Sequence, residues 1–199
     1  MIFLDLANAK YGLEEHEGLE NCEIDYYDLA NTLIDERRFV RAIAYDTHHF
    51  FRNHPHITEH LSDSGFKLQK GHFVDGKQKE VDVSIAIDMF RHAVDDNYDV
   101  AILISGDRDF IPAIEGVQKL GKRVEVAAFR NTVSDAVTHV VDSFTDLSKI
   151  PMVDYYPPYV PTGSEFEEFR PVSELSSDPE FETLENIINE EHSNLEVTE

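Results

Sequence analysis

Four aspartates carry the chemistry this sequence can do. Asp5 closes a short apolar run in Phe3-Leu4-Asp5-Leu6-Ala7-Asn8, and Asp107 and Asp109 follow another in Ser105-Gly106-Asp107-Arg108-Asp109-Phe110. Asp82 lies in the first turn of a helical pattern that runs from Val81 to Val94. A single acid after a strand is commonly a helix cap. Several at one rim repel each other and raise one another's pKa values unless a cation shares the site. Oxygen donors without cysteine suit a hard ion, Mg²⁺ or Mn²⁺, with the remaining positions left to water and phosphate. Asp5, Asp82, Asp107 and Asp109 are therefore the candidate metal-ligating and catalytic residues. Lys10, Lys77, Lys79 and Arg108 flank them, and the Lys-rich stretch from Phe66 to Glu80 is the expected phosphate track.

These acids act together only if the fold brings them to one edge. Short apolar runs at Ile2 to Leu6, Phe39 to Tyr45, Lys67 to Val74, Val100 to Ile104 and Arg123 to Ala128 predict strands. Helical patterns near 25 to 35, 56 to 63, 81 to 94, 110 to 119 and 132 to 140 fill the gaps. Alternation at this spacing means parallel βαβ units and a three-layer α/β/α sandwich. Val100-Ala101-Ile102-Leu103-Ile104 is apolar on both faces, as a central strand must be. Ligands of such sheets bind outside the carboxyl ends of the strands, where the winding reverses. If the first and fourth strands are neighbours, Asp5, Asp107 and Asp109 meet there. A 100° step per residue puts Val83, Ala86, Ile87, Phe90 and Val94 inward on the third helix, Asp82 at the margin of that stripe, and Asp88 on the opposite face in a solvated or structural role. Asn53 before His54-Pro55 fits a helix start, and Gly121 a helix end.

Composition narrows the function classes. The chain has 199 residues, 40 acids against 17 Lys plus Arg, and one cysteine, Cys22. A disulfide framework is excluded within one chain, and a reducing cytoplasm is the expected location. No apolar run nears the roughly 20 residues needed to span a bilayer, so no membrane partner is expected. A net charge of −23 opposes broad electrostatic capture of nucleic acid, so any such site must be local. It also resembles the composition of salt-adapted proteins. Residues 1–150 are read as one domain. Residues 151–199, with 13 acids and one base, begin with a Pro/Tyr-rich linker and continue as an acidic tail, in which Phe181, Leu184, Ile187 and Ile188 could dock on a partner. A phosphate-binding loop needs Ser or Thr directly after G-x-x-x-x-G-K; Gly116 to Lys122 has the spacing but Arg123 follows, so that class of nucleotide hydrolase is not expected. A haloacid-type phosphatase needs a second acid where Ala7 stands. His56 and His60 have helical metal-pair spacing but no convincing third ligand, so zinc is not expected.

The chain from Met1 to about Leu147 resembles the NYN domain family, in its LabA-like branch, within the PIN-like nuclease superfamily. The resemblance rests on Asp5-x-x-Asn8, on Lys79-Glu80-Val81-Asp82-Val83 leading into Ile87-Asp88-Met89, and on Ile104-Ser105-Gly106-Asp107-x-Asp109-Phe110 followed by Gly121-Lys122-x-Val124-Glu125-Val126. It implies a five-stranded parallel sheet in the order 3-2-1-4-5, which makes strands one and four neighbours. It implies an acidic metal site of Asp5, Asp82, Asp107 and Asp109, supported through hydrogen bonds by Asn8 and Ser105. The implied activity is metal-dependent hydrolysis of RNA phosphodiesters. The alternative is a non-catalytic, metal-stabilised RNA-binding or protein-interaction module. RNA is the expected partner; a second copy of the chain and a protein bound by the acidic tail are further candidates.

Overall fold

The computed structural model describes residues 1–19, 22–71 and 81–154. Its elements alternate: β1 (Ile2–Asp5), α1 (Leu6–Glu14), β2 (Cys22–Ile24), α2 (Tyr26–Ile34), β3 (Ala42–Thr47), α3 (His48–Asn53), α4 (Pro55–Asp63), β4 (Phe66–Gly71), α5 (Val81–Val94), β5 (Val100–Ile104), α6 (Ile111–Lys119), β6 (Arg123–Ala128), α7 (Asp135–Val140), β7 (Ser143–Asp146) and β8 (Met152–Asp154), with short 3₁₀ turns at Arg108–Phe110 and Leu147–Lys149. The main sheet runs β4-β3-β1-β5-β6-β7, every pairing parallel. Its first five positions reproduce the expected order, with β1 against β5. The sheet has six strands rather than five, because β7 adds to the edge beside β6. Ser143-Phe144-Thr145-Asp146 has too little apolar character to signal a strand by pattern alone.

Alternation along each strand feeds two cores, one on either face of the sheet. Ile2 and Leu4 of β1, Ala42 and Ala44 of β3, and Ile102 and Ile104 of β5 join Leu13, Leu29, Phe51 and Leu61 beneath the helices of one face. Phe3, Ile43, Tyr45 and Leu103 join Ile85, Met89, Ile114 and Val117 beneath the other. Both faces of these central strands are covered, which is why they read as unbroken apolar runs.

Three sequence expectations are corrected. The inward stripe of α5 is Val81, Ile85, Met89 and Ala93, whereas Val83, Ile87, Phe90 and Val94 are exposed and Ala86 is only partly buried. Both stripes are apolar, so periodicity alone could not choose between them. Asn53 ends α3 instead of starting a helix; α4 begins at Pro55 with His54 as the junction. The strand expected over Phe39 to Tyr45 starts later and runs on through Asp46 to Thr47. Gly121 does lie just past α6, at φ 79°, where a side chain would be strained. Beyond residue 150, β8 pairs antiparallel with β2. Lys77, Lys79 and the linker and tail from residue 155 lie outside the described residues.

Candidate active site

The carboxyl edge of β1 and β5 holds a network of short polar contacts. Asp5 caps α1: its Oδ1 accepts from the backbone N–H of Asn8 at 3.1 Å, and its Oδ2 accepts from the hydroxyl of Ser105 at 2.9 Å. Asn8 in turn accepts from the backbone N–H of Gly106 at 3.1 Å. The backbone N–H of Asp107 donates to Ser105 Oγ at 3.3 Å, and Asp107 Oδ1 accepts from the N–H of Asp109 at 2.9 Å. The end of β1, the first turn of α1 and the loop after β5 thus hold one another in place. Asn8 and Ser105, named from the family resemblance, each take part in this hydrogen-bond network.

Gly106 is fixed by close approach. A Cβ there would lie 2.6 Å from the Cα of Val133 and 2.7 Å from the carbonyl oxygen of Thr132, closer than real side chains come. The N–H of Ser134 donates to the Gly106 carbonyl at 3.0 Å, tying the acidic loop to the turn that follows β6.

Asp5, Asp82 and Asp107 line one cavity of about 260 Å³ together with Ala7, Asn8, Tyr11 and Val81. Asp5 is buried, and burial raises its pKa to about 6; the bonds from Asn8 and Ser105 oppose the rise, and the charges of Asp82 and Asp46 add to it. The pKa of Asp82 is also raised, first by desolvation and then by the charges of Asp107 and Asp109. Asp109 is not part of the cavity wall, but its charge reaches the same site. Asp82 arrives there because the first turn of α5 stands at the sheet's carboxyl edge, not through the stripe assigned from periodicity. Asp88 accepts from the hydroxyl of Tyr45 at 3.0 Å, a structural bond apart from the cavity.

The cations are more scattered. Lys10 sits 3.8 Å from Glu14 and 4.8 Å above the ring of Phe50, and Arg108 is exposed in the 3₁₀ turn beside Asp107. Lys67 and Lys70 of the expected phosphate track are exposed on β4. Sequence reasoning missed Asp46. It is buried at the carboxyl end of β3, where the strand was expected to stop one residue earlier. An acid closing an apolar run was the same signal that marked Asp5.

Among the described residues, no three His, Cys, Asp or Glu side chains are drawn close enough to enclose an ion by themselves. The chemistry of the donors nonetheless fits a hard divalent cation: Asp5, Asp82 and Asp107 border one cavity and their charges are mutually unfavourable. Mg²⁺ commonly takes only one or two carboxylates and keeps water in its other positions. No helix among the described residues is long and apolar enough to cross a membrane.

Comparison with known proteins agrees with this architecture. No curated protein matches the chain. A crystal structure of a protein of unknown function, VPA0982 from Vibrio parahaemolyticus RIMD 2210633, is similar to it with 25% identity and a TM-score of 0.66, covering 75% of this chain and 94% of that one. The NYN domain matches residues 1–148, the whole span from β1 through the last strand of the main sheet. With three-quarters of its length accounted for in this way, the chain belongs to the NYN domain family, a family of PIN-like nucleases.

Proposed function

We propose that this NYN protein is a metal-dependent endoribonuclease of the LabA-like branch, with Asp5, Asp82, Asp107 and Asp109 as its acidic centre. The observation that carries the reading is the meeting of Asp5, Asp82 and Asp107 on one cavity at the sheet's switch point. Those three residues, with Asp109 beside them, would hold Mg²⁺ or Mn²⁺. Bound there, such an ion lowers the pKa of water and stabilises charge on the reacting phosphate.

The chain's own residues supply position and charge. Ser105 and the Asn8 backbone hold the Asp5 carboxylate in one orientation, leaving it little rotational freedom to lose when substrate binds. Asn8 and the Gly106 N–H lock the loop that carries Asp107. Arg108, exposed beside Asp107, is free to meet a phosphate oxygen. Lys10 lies one helical turn beyond Ala7 of the cavity wall and would meet the next phosphate along the strand. Lys77 and Lys79 are proposed for the same role from sequence. Hydrolysis consumes one water, whose oxygen forms the new bond to phosphorus while the ribose oxygen leaves. A single cysteine accords with a reducing, cytoplasmic setting for the enzyme.

The test is RNA cleavage by the full chain with Mn²⁺ or Mg²⁺, at low and high salt, against an EDTA control and the Asp107→Asn variant. Metal-dependent cleavage well above the Asp107→Asn background supports the enzyme. The second reading, a non-catalytic RNA-binding module, draws on the acids being too dispersed to enclose an ion. Binding of RNA with no cleavage under any of these conditions would establish it instead.

A further inference from the structure

Next to the acidic cavity lies a second one of about 310 Å³, and the two share Ala7 and Tyr11 in their walls. It opens on the other face of the sheet. Asp5 is paired in register with Tyr45, and the residue after Tyr45, Asp46, turns towards the side that packs α1 and α3. The remaining wall combines Lys10, His49, Phe50 and His54 with the acid Glu14 and the polar Thr47 and Asn53, and His54 is stacked on Phe50 at 4.1 Å between ring centres and 16° between planes. Tyr11 is 58% exposed at the junction of the two cavities, an aromatic face without cover.

Asp46 is 3% exposed, and its two oxygens differ. Oδ1 accepts from the backbone N–H of Thr47, and the Thr47 side chain caps α3 by accepting from Phe50 N–H at 3.0 Å. Oδ2 has no hydrogen-bond partner, alone among buried side-chain polar atoms of the described residues. A carboxylate oxygen in that state costs free energy, because it has lost water and gained no donor. The backbone N–H and side chain of Thr47 favour the ionised carboxyl first, and the charges of Lys10 and His54 add to this, yet none of them donates to Oδ2. Lys10 is held only by the 3.8 Å pairing with Glu14 and its place above Phe50, so its long chain can give way to a ligand.

Single-stranded RNA is recognised by stacking bases on aromatic faces and by hydrogen bonds to their edges, with cations along the backbone. The second cavity offers all three, one residue away from the acidic centre. We propose that it is a nucleobase subsite beside the cleavage position, in which the base stacks on Tyr11 and its exocyclic amino group donates to Asp46 Oδ2. Adenine, cytosine and guanine carry such an amino group; uracil does not and would set a carbonyl oxygen against the carboxylate. The subsite rests on the ribonuclease reading for the strand's passing the acidic cavity.

The geometry makes an inversion testable. In Asp46→Asn, the Thr47 N–H keeps the amide oxygen at the Oδ1 position, which leaves the NH₂ where Oδ2 was: an acceptor becomes a donor. Binding of fluorescent rA₆, rC₆ and rU₆ would be measured on the full chain carrying Asp107→Asn, with and without Asp46→Asn. Cleavage of matched oligomers by the wild type and by Asp46→Asn completes the set. We expect rA₆ and rC₆ to bind about tenfold more tightly than rU₆ to Asp107→Asn, and the order to reverse with Asp46→Asn. Tyr11→Ala, at an exposed position that the core does not use, should weaken all three about tenfold, whereas Tyr11→Phe should restore them. Cleavage with no base preference, or a preference that Asp46→Asn leaves intact, overturns the subsite and leaves the nuclease standing. Base-selective binding without cleavage does the reverse. Binding to none of the three overturns the subsite outright.

Discussion

Asp5 and Asp46 end neighbouring parallel strands at the same edge of the sheet, and both are buried, yet they are treated differently. Asp5 accepts a hydrogen bond on each oxygen and is bound into the loop that carries Asp107. Asp46 has one oxygen engaged and one orphaned. For both, burial is the first cause of a raised pKa. The difference shows two ways in which a fold holds charge in reserve. On one face the carboxylate is fully oriented and short only of a counter-charge. On the other it is short of a single donor, which makes it selective for what can donate.

The largest effect should come from removing charge on the oriented side. Asp107→Asn and Asp5→Asn keep shape and lose a metal-shell charge, so RNA cleavage should fall on the order of a thousandfold, about 4 kcal/mol of transition-state stabilisation. Single-turnover rates of folded variants check this. Loss of no more than a few-fold would mean that Asp5 and Asp107 are not the reacting centre.

Stability should move the other way. The Asp5 carboxyl has a pKa of about 6 in the folded chain against an ordinary value of 3.8. A raised carboxylate contributes its full stability below pH 4 and loses it as pH rises through 6, which at pH 7 amounts to about 3 kcal/mol. Asp5→Asn should therefore raise the Tm of the metal-free protein at pH 7, with the gain shrinking towards pH 4. Asp46→Asn should shift in the same direction. Thermal unfolding at both pH values decides it, and an equal gain at pH 4 would assign the effect to packing rather than to ionisation.

Gly106→Ala probes the lock on the oriented side. Its methyl group would meet backbone, not a flexible side-chain end, so a loss of about 1–3 kcal/mol and a matching fall in cleavage are expected. The smallest effect separates the two acids of α5. Asp82→Asn should abolish the Tm increase that Mn²⁺ gives the wild type. Asp88→Asn, which weakens only the bond from Tyr45, should cost about 1 kcal/mol and leave the Mn²⁺ response in place. Equal loss of the response in both would place Asp88 in the metal shell.

Much of the oriented side was legible in the sequence. Asp5, Asp107 and Asp109 follow strands whose apolar runs are unbroken, and the doubly wound order brings those strand ends together. The phase of α5 was not legible, because Val81-Ile85-Met89 and Val83-Ile87-Phe90 are equally apolar and only tertiary packing chooses between them. Asp46 was missed because Tyr45-Asp46-Thr47 ends a strand with a polar pair, which pattern reading takes as the start of a turn. The six-stranded width was missed because an edge strand such as β7 needs little apolar surface.

The parallel winding also sets a clock. β1 is made well before its partner β5, which lies about a hundred positions later, and the Asp5–Ser105 hydrogen bond spans 100 residues of chain. At roughly 5–20 residues per second, the ribosome takes on the order of 5–20 s to supply the second half of that contact. Through that interval Asp5 has emerged but has neither Ser105 to orient it nor Asp107 to face it. Until the loop after β5 comes free, a nascent chain of this protein therefore has Asp5 without the contacts that orient it in the finished fold.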